Sequence, residues 1–217
     1  MQLIPHIEVS EICNYLGEGE PKSIKQVFGG DIHKSWQIEF QNSKFFLKRN
    51  ARKLKFLKFE KSCLNNLQKY TNHENLVIPK VITYLEVNNV ELLLMEWINM
   101  NNTDQQKLGE GLAEMHIQSN KFNPKSFGYP MDGYIGTTNQ IQGWENNWIK
   151  CFINLRIEPQ LAILKKDFLE IDIKNKLKSK IESELYRHEP FNSLVHGDLW
   201  SGNIGINQLN KGIIFDP

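Results

Sequence analysis

The sequence predicts an α+β fold in two parts, a small antiparallel β lobe with one main helix and then a mostly helical lobe. Three observations predict it. Between Lys25 and Lys48 apolar residues alternate with polar ones, as in Trp36, Ile38 and Phe40 and again at Phe46, with turns at Gly29-Gly30-Asp31 and Gln41-Asn42-Ser43. From Leu54 to Tyr70 the period changes to that of a helix, with Phe56, Cys63, Leu64 and Leu67 on one face. Beyond the polar, aperiodic stretch Asn99 to Asp104, helical spacing dominates. The lobes are therefore placed at residues 1–98 and 99–217.

Each element has its own signal. Ile4 to Leu16 reads as a short helix stopped by Gly17-Glu18-Gly19. Lys80 to Leu85 and Val90 to Ile98 read as strands joined across Asn88-Asn89. In the second lobe Leu108, Leu112 and Met115 place a helix over Lys107 to Ser119. Trp144, Trp148, Cys151, Phe152 and Leu155 mark another. Ile171 to Leu185 is amphipathic, with a lysine-rich solvated face. After Pro190, apolar runs around Ile204 and Ile213 return to strand and form a hairpin.

Composition narrows the classes of function. With 26 basic against 25 acidic side chains the formal charge is +1, so no chain-wide field favours nucleic acid or an anionic membrane. The first ten residues lack a basic leader followed by an apolar run, and no stretch approaches the roughly 20 apolar residues that span a bilayer. Cys13, Cys63 and Cys151 are odd in number and far apart. They fit reduced, buried thiols of a cytosolic protein better than a disulfide framework or a zinc cluster.

The chemistry concentrates near the C-terminal end. His196-Gly197-Asp198 and Asn203 have the spacing His-x-Asp-x-x-x-x-Asn of a kinase catalytic loop, although a Gly/Ser turn holding an Asp and an Asn would look the same. The residues from Asn203 onward strengthen the pattern. Asn203 opens one short strand and Asp216 closes the next, and in an antiparallel hairpin those two ends lie side by side. The sequence therefore predicts Asn203 and Asp216 beside Asp198, two oxygen-bearing side chains suited to Mg²⁺, which takes few protein ligands. In the first lobe Lys48 shares a strand face with Phe46, and Glu60 falls inside the apolar stripe of its helix. Neither charge is affordable alone when buried, so each is expected to be the other's partner, unless Lys48 snorkels outward. A sheet lysine held by a helix glutamate is the arrangement that directs an ammonium at ATP phosphates. Gly29 and Gly30, in a turn ahead of Lys48, would let backbone amides approach a phosphate. Glu96, Trp97 and Ile98, where the strand runs into the linker, would bind adenine. His196 is expected to bond backbone around the loop, and Trp144 and Trp148 to pack helices.

These residues together resemble the aminoglycoside phosphotransferase and choline kinase superfamily, relatives of the protein kinases. The fuller string His196-Gly197-Asp198-Leu199-Trp200-Ser201-Gly202-Asn203, with Asp216-Pro217, resembles the fructosamine-3-kinase (ketosamine-3-kinase) family more closely. Tyr134 to Gln140, then Trp144, Trp148, Phe152, Arg156 and Gln160, are similar to that family's middle section, and Gly30-Asp31-Ile32, Phe59-Glu60 and Leu94-Met95-Glu96 to its small lobe. The resemblance implies a protein-kinase-like two-lobed fold and a cytoplasmic, ATP- and Mg²⁺-dependent kinase of ketosamines, free or protein-bound. It implies Asp198 as the base, and it supports stacking of Trp200 on the acceptor, a core aromatic being the other reading of that residue. Family members usually continue past the Asp-Pro dipeptide through further helices. Ending at Pro217 is expected to expose apolar surface and favour self-association. Some members carry a cysteine in the glycine turn; Asp31 follows Gly30 here, so no thiol switch is expected at that loop. An aminoglycoside- or choline-type acceptor, or a non-catalytic fragment that binds nucleotide, remain the alternatives.

Overall fold

In the computed structural model the described residues are 4–27, 33–101, 105–122, 126–164 and 171–217. The glycine turn at Gly29, Gly30 and Asp31 therefore lies outside them. The chain forms two compact units, Met1–His116 with Val195–Pro217, and Ile117–Leu194.

The first unit begins with helix α1 (His6–Leu16). Pro5 serves as its N-cap, and Gly17 ends it in the left-handed region at φ 66°. Strands β1 (Ser23–Val27), β2 (Lys34–Glu39) and β3 (Lys44–Asn50) precede helix α2 (Phe56–Tyr70). They are followed by β4 (Leu76–Val77), β5 (Val81–Val87), β6 (Val90–Glu96) and β7 (Met100–Asn101), then by helix α3 (Gln106–Phe122). The main sheet is antiparallel in the order β1-β2-β3-β6-β5. Asn88 and Asn89 both take positive φ, the geometry of a two-residue hairpin turn between β5 and β6.

Strict alternation gives this sheet two different faces. Leu47 on β3 and Leu92 and Leu94 on β6 join Trp36, Ile38, Val9 and Ile12 in the core under α1. The intervening residues Lys48, Leu93 and Met95 are buried as well, on the face opposite that core. Helix α2 contributes Phe56, Leu57, Leu64 and Leu67 as buried apolar residues, and Glu60 is buried with them.

The second unit carries two small antiparallel pairs, β8 (Phe127–Gly128) with β11 (Trp144–Glu145), and β9 (Gly133–Ile135) with β10 (Thr138–Gln140). Helix α4 (Trp148–Phe152) runs through a π-helical turn, Ile153–Ile157, into α5 (Glu158–Ile163); α6 (Ile171–Leu185) comes next. Trp148 packs between Phe127 and Phe152, its ring centroid 5.7 Å from each. Trp144 departs from the sequence reading. It pairs with Gly128 in β11, and the helix starts only at Trp148, where Asn147 accepts from the Lys150 amide as N-cap. A tryptophan four residues from the next one fits either a helix or a strand, and Asn147 decided where the helix could begin.

The chain then returns to the first unit through a 3₁₀ turn, Ser201–Asn203, and the hairpin β12 (Ile204–Asn207) and β13 (Gly212–Ile214). These form the centre of a second sheet in the order β4-β13-β12-β7, with β4 parallel to β13. Met100–Asn101, read from sequence as linker, is an edge strand of this sheet. Two-residue strands are set by their partners and carry no periodicity of their own.

Candidate active site

The hairpin brings the C-terminal residues together as its register requires. Ile204 pairs with Ile214, and the Phe215 amide donates to the Asn203 carbonyl at 3.1 Å, which leaves Asn203 and Asp216 at the open end. Asn203 ends the 3₁₀ turn and so lies just before the strand, one residue short of the position read from sequence. Its buried side-chain amide donates to the Asp198 carbonyl at 2.9 Å and lies 3.4 Å from both Asp198 Oδ2 and the Asp216 carbonyl. His196 is buried, and Nε2 donates to the Phe215 carbonyl at 3.1 Å. That bond ties the loop to the residue before Asp216. It also places the imidazole proton on Nε2, because a carbonyl only accepts. Burial holds the His196 pKa below its ordinary value.

Asp216 is the hinge between this loop and the main sheet. It sits at φ 65°, a region that aspartate tolerates better than most residues. Its Oδ1 accepts from Lys48 Nζ at 2.6 Å, and the same ammonium donates to Glu60 Oε1 at 2.7 Å. Lys48 is thus inward-facing and paired, as its alternation with Phe46 required. Burial pulls the Lys48 pKa down, but the two carboxylates outweigh it and the ammonium is held above its usual range. Glu60 is pushed up to about 7, first by burial; Lys48 opposes the rise, while Asp216 and Glu91 add to it. One cation serves several carboxylates here. Beside Lys48, the His33 ring lies 5.4 Å from Phe56, and its pKa falls to about 4, chiefly through burial.

The remaining predicted residues fall nearby in the chain but with different roles available. Glu96 ends β6 and its carboxylate accepts from the Lys80 amide at 2.8 Å. The amides of Glu96 and Trp97 donate to the carbonyls of Lys80 and Lys44, and Trp97 stacks 6.3 Å from Phe46. Ile98 is half-buried. Trp200 is 58% exposed, so it is not a core aromatic of this unit, and its indole covers Gly202 so closely that a Cβ there would meet the ring at 2.4 Å.

Oxygen donors suited to a hard cation are present. The Asn203 amide nitrogen is committed to carbonyls, which turns Oδ1 away from them, and the Asp216 carboxylate stands at the same end of the hairpin. Among the described residues no group of three or more His, Cys, Asp or Glu is placed to hold a metal ion.

Two buried carboxylates and their partners escaped the sequence reading. Arg49 donates from Nε and Nη2 to both oxygens of Glu8, at 2.6 and 2.7 Å, and so fixes α1 to β3. Glu91, with no exposure at all, accepts from Asn50 Nδ2 at 2.6 Å and from the Lys58 amide at 3.0 Å. A lone glutamate opening the run Leu92-Leu93-Leu94-Met95 was the available signal.

The family model for fructosamine kinase matches residues 8–217. The "Probable ketoamine kinase" of Staphylococcus aureus is 29% identical over 206 residues, covering 90% of this chain and 68% of that protein. One from Enterococcus faecium is 30% identical over 196 residues, covering 88% and 68%. A Haemophilus somnus crystal structure described as "Putative fructosamine-3-kinase" superposes with a TM-score of 0.79 at 23% identity, covering 97% of this chain and 70% of the other. The aminoglycoside phosphotransferase APH(4)-Ia, solved with AMP-PNP and hygromycin B, gives 0.60 at 13% identity, covering 96% and 70%. The last two establish the protein-kinase-like α+β fold. With the family model spanning nearly the whole sequence, the chain belongs to the fructosamine kinase family of phosphotransferases.

Proposed function

We propose that this chain transfers the γ-phosphoryl group of ATP to a sugar hydroxyl of a ketosamine. The observation that carries the reading is the hydrogen-bonded chain from Glu60 through Lys48 and Asp216 to Asn203 and Asp198. It joins an ammonium, a cation-binding pair and an exposed carboxylate, the parts phosphoryl transfer uses.

In this reading Lys48, held by Glu60, contacts the phosphates, with the Gly29-Gly30 turn over them. Adenine lies against Trp97 and Ile98. Since the amides of Glu96 and Trp97 are engaged within the sheet, Ile98 supplies the backbone donor. Asn203 and Asp216 hold Mg²⁺, which neutralises phosphate charge when bound. Asp198 orients the acceptor hydroxyl and takes its proton; Trp200, exposed beside it, stacks on the sugar or the amine substituent. The division into lobes at 98/99, a cytoplasmic location and self-association belong to the same reading. Among the described residues no helix is long and apolar enough to cross a membrane.

The ketosamine acceptor rests on the names of the relatives and on the Trp200-Ser201-Gly202-Asn203 loop. ATP consumption measured against ribulosamines, erythrulosamines and fructosamines, beside choline and an aminoglycoside, tests it. Turnover confined to the ketosamines is expected. Turnover only on choline or the aminoglycoside would overturn the acceptor assignment, and ATP binding without any turnover would favour a nucleotide-binding fragment, since the chain spans about 70% of its relatives.

A further inference from the structure

We propose that Glu91 is a positioning residue that clamps the strand bearing Lys48 to the helix bearing Glu60, and so sets the aim of the ammonium. The inference rests on the phosphotransferase reading above for its consequence, and on geometry for its existence.

Helix α2 lacks the usual means of holding its N-terminus. Lys55 occupies the N-cap without a side-chain capping bond, and the first turn contains no acidic residue. Its amides need an acceptor, and the helix dipole favours an anion there. Glu91 supplies both from another element. Oε2 accepts from the Leu57 amide at 3.3 Å and Oε1 from the Lys58 amide at 3.0 Å. Tyr84 Oη donates to Oε1 at 2.8 Å, and Asn50 Nδ2 to Oε2 at 2.6 Å. All four donors converge on one fully buried carboxylate.

The placement of those donors gives the clamp its consequence. Asn50 is two residues beyond Lys48 on the same face of β3 and stands opposite Glu91 in the ladder. Leu57 and Lys58 lie within the turn of α2 that precedes Glu60. One carboxylate therefore fixes both sides of the 2.7 Å contact between Lys48 and Glu60. Asn50 also donates to the Leu54 carbonyl and accepts from the Arg52 amide, so it cannot turn over to suit a changed partner without breaking the connection between β3 and α2. Only a carboxylate presents acceptors to all four donors. A glutamine amide would direct N–H groups at either Lys58 or the pair Asn50 and Leu57.

The test compares the parent chain with Glu91→Gln and Asn50→Ala. Acetic anhydride labelling of Lys48, scaled to exposed Lys180, reads the local opening of the couple without requiring turnover. Labelling should rise at least about fivefold in Glu91→Gln, and less in Asn50→Ala, with exchange protection lost at the start of α2 and kept in β3 and β6. If Glu91→Gln does not fold, the same local rise in Asn50→Ala supports the clamp. Unchanged labelling, or a rise accompanied by loss of protection throughout the sheet, overturns it. In an active chain, Glu91→Gln should lower kcat with little change in KM for ATP, and should add almost nothing in a Glu60→Gln background. Equal losses in both backgrounds would make Glu91 merely structural. A local rise in Glu91→Gln, found alongside a parent chain that phosphorylates no acceptor, would sink the kinase reading and leave the clamp standing.

Discussion

Asp198 is exposed, in a loop anchored at either end by the buried residues His196 and Asn203. Asp198→Asn keeps the hydrogen-bonding shape and, in the proposed reading, removes the base. Mg-ATP binding is expected to be retained, with kcat falling roughly 10²- to 10⁴-fold, measured by coupled ATP consumption. Glu60 has the opposite surroundings, and its pKa near 7 makes two signs testable. As pH falls through about 7 the carboxylate takes a proton and releases Lys48, so kcat/KM should drop on the acid side. Glu60→Gln should flatten that limb at a low plateau. The stability effect runs the other way. Because the folded-state pKa is raised above 4.5, the folded protein holds the proton more tightly than the unfolded chain. The contribution of Glu60 is fully present below pH 4.5 and is lost as pH rises through about 7. Urea midpoints of Glu60→Gln and parent should diverge across that window, with the parent losing relative stability toward pH 7.

Among elements, the hairpin β12–β13 is closely packed. It lies between β4 and β7, and Gly212 abuts the start of α3, where an added Cβ would stand 2.5 Å from the Leu108 Cα. Backbone cannot yield as a flexible side chain can, so Gly212→Ala is expected to cost about 1–3 kcal/mol in chemical denaturation. Gly202→Ala acts differently, because the obstacle is the exposed Trp200 ring. Displacing that ring should leave folding nearly intact and raise KM for the acceptor more than KM for ATP. Equal KM values in the variant and the parent would remove Trp200 from acceptor binding. Helix α2 and strands β3 and β6 were legible because each repeats its period for seven residues or more. The two-residue strands β4, β7, β8 and β11 were not, since pairing alone defines them.

Across the whole molecule, the first unit is discontinuous: residues 195–217 complete a fold begun by residues 1–116. Removing them takes away both central strands of the second sheet, the Asp216 partner of Lys48 and every contact of Asn203. A chain ending at Leu194 should lose amide protection at Leu76–Val77 and Met100–Asn101, and with it any thermal shift from Mg-ATP. The intact chain at about 100-fold ligand excess over Kd should gain about 2.7 kcal/mol of apparent stability.

By itself the sequence determined the class of the fold, the pairing of Lys48 with Glu60 and the meeting of Asn203 with Asp216. Those come from the period of a strand, the period of a helix and the cost of burying a lone charge, all of which are local or nearly so. Tertiary structure alone decided that Asp216 reaches Lys48 across 168 residues of chain, and that Glu8 and Glu91 are buried anions with partners on other elements. Which partner stands opposite a buried carboxylate depends on how elements pack, and packing leaves no periodic mark in the sequence.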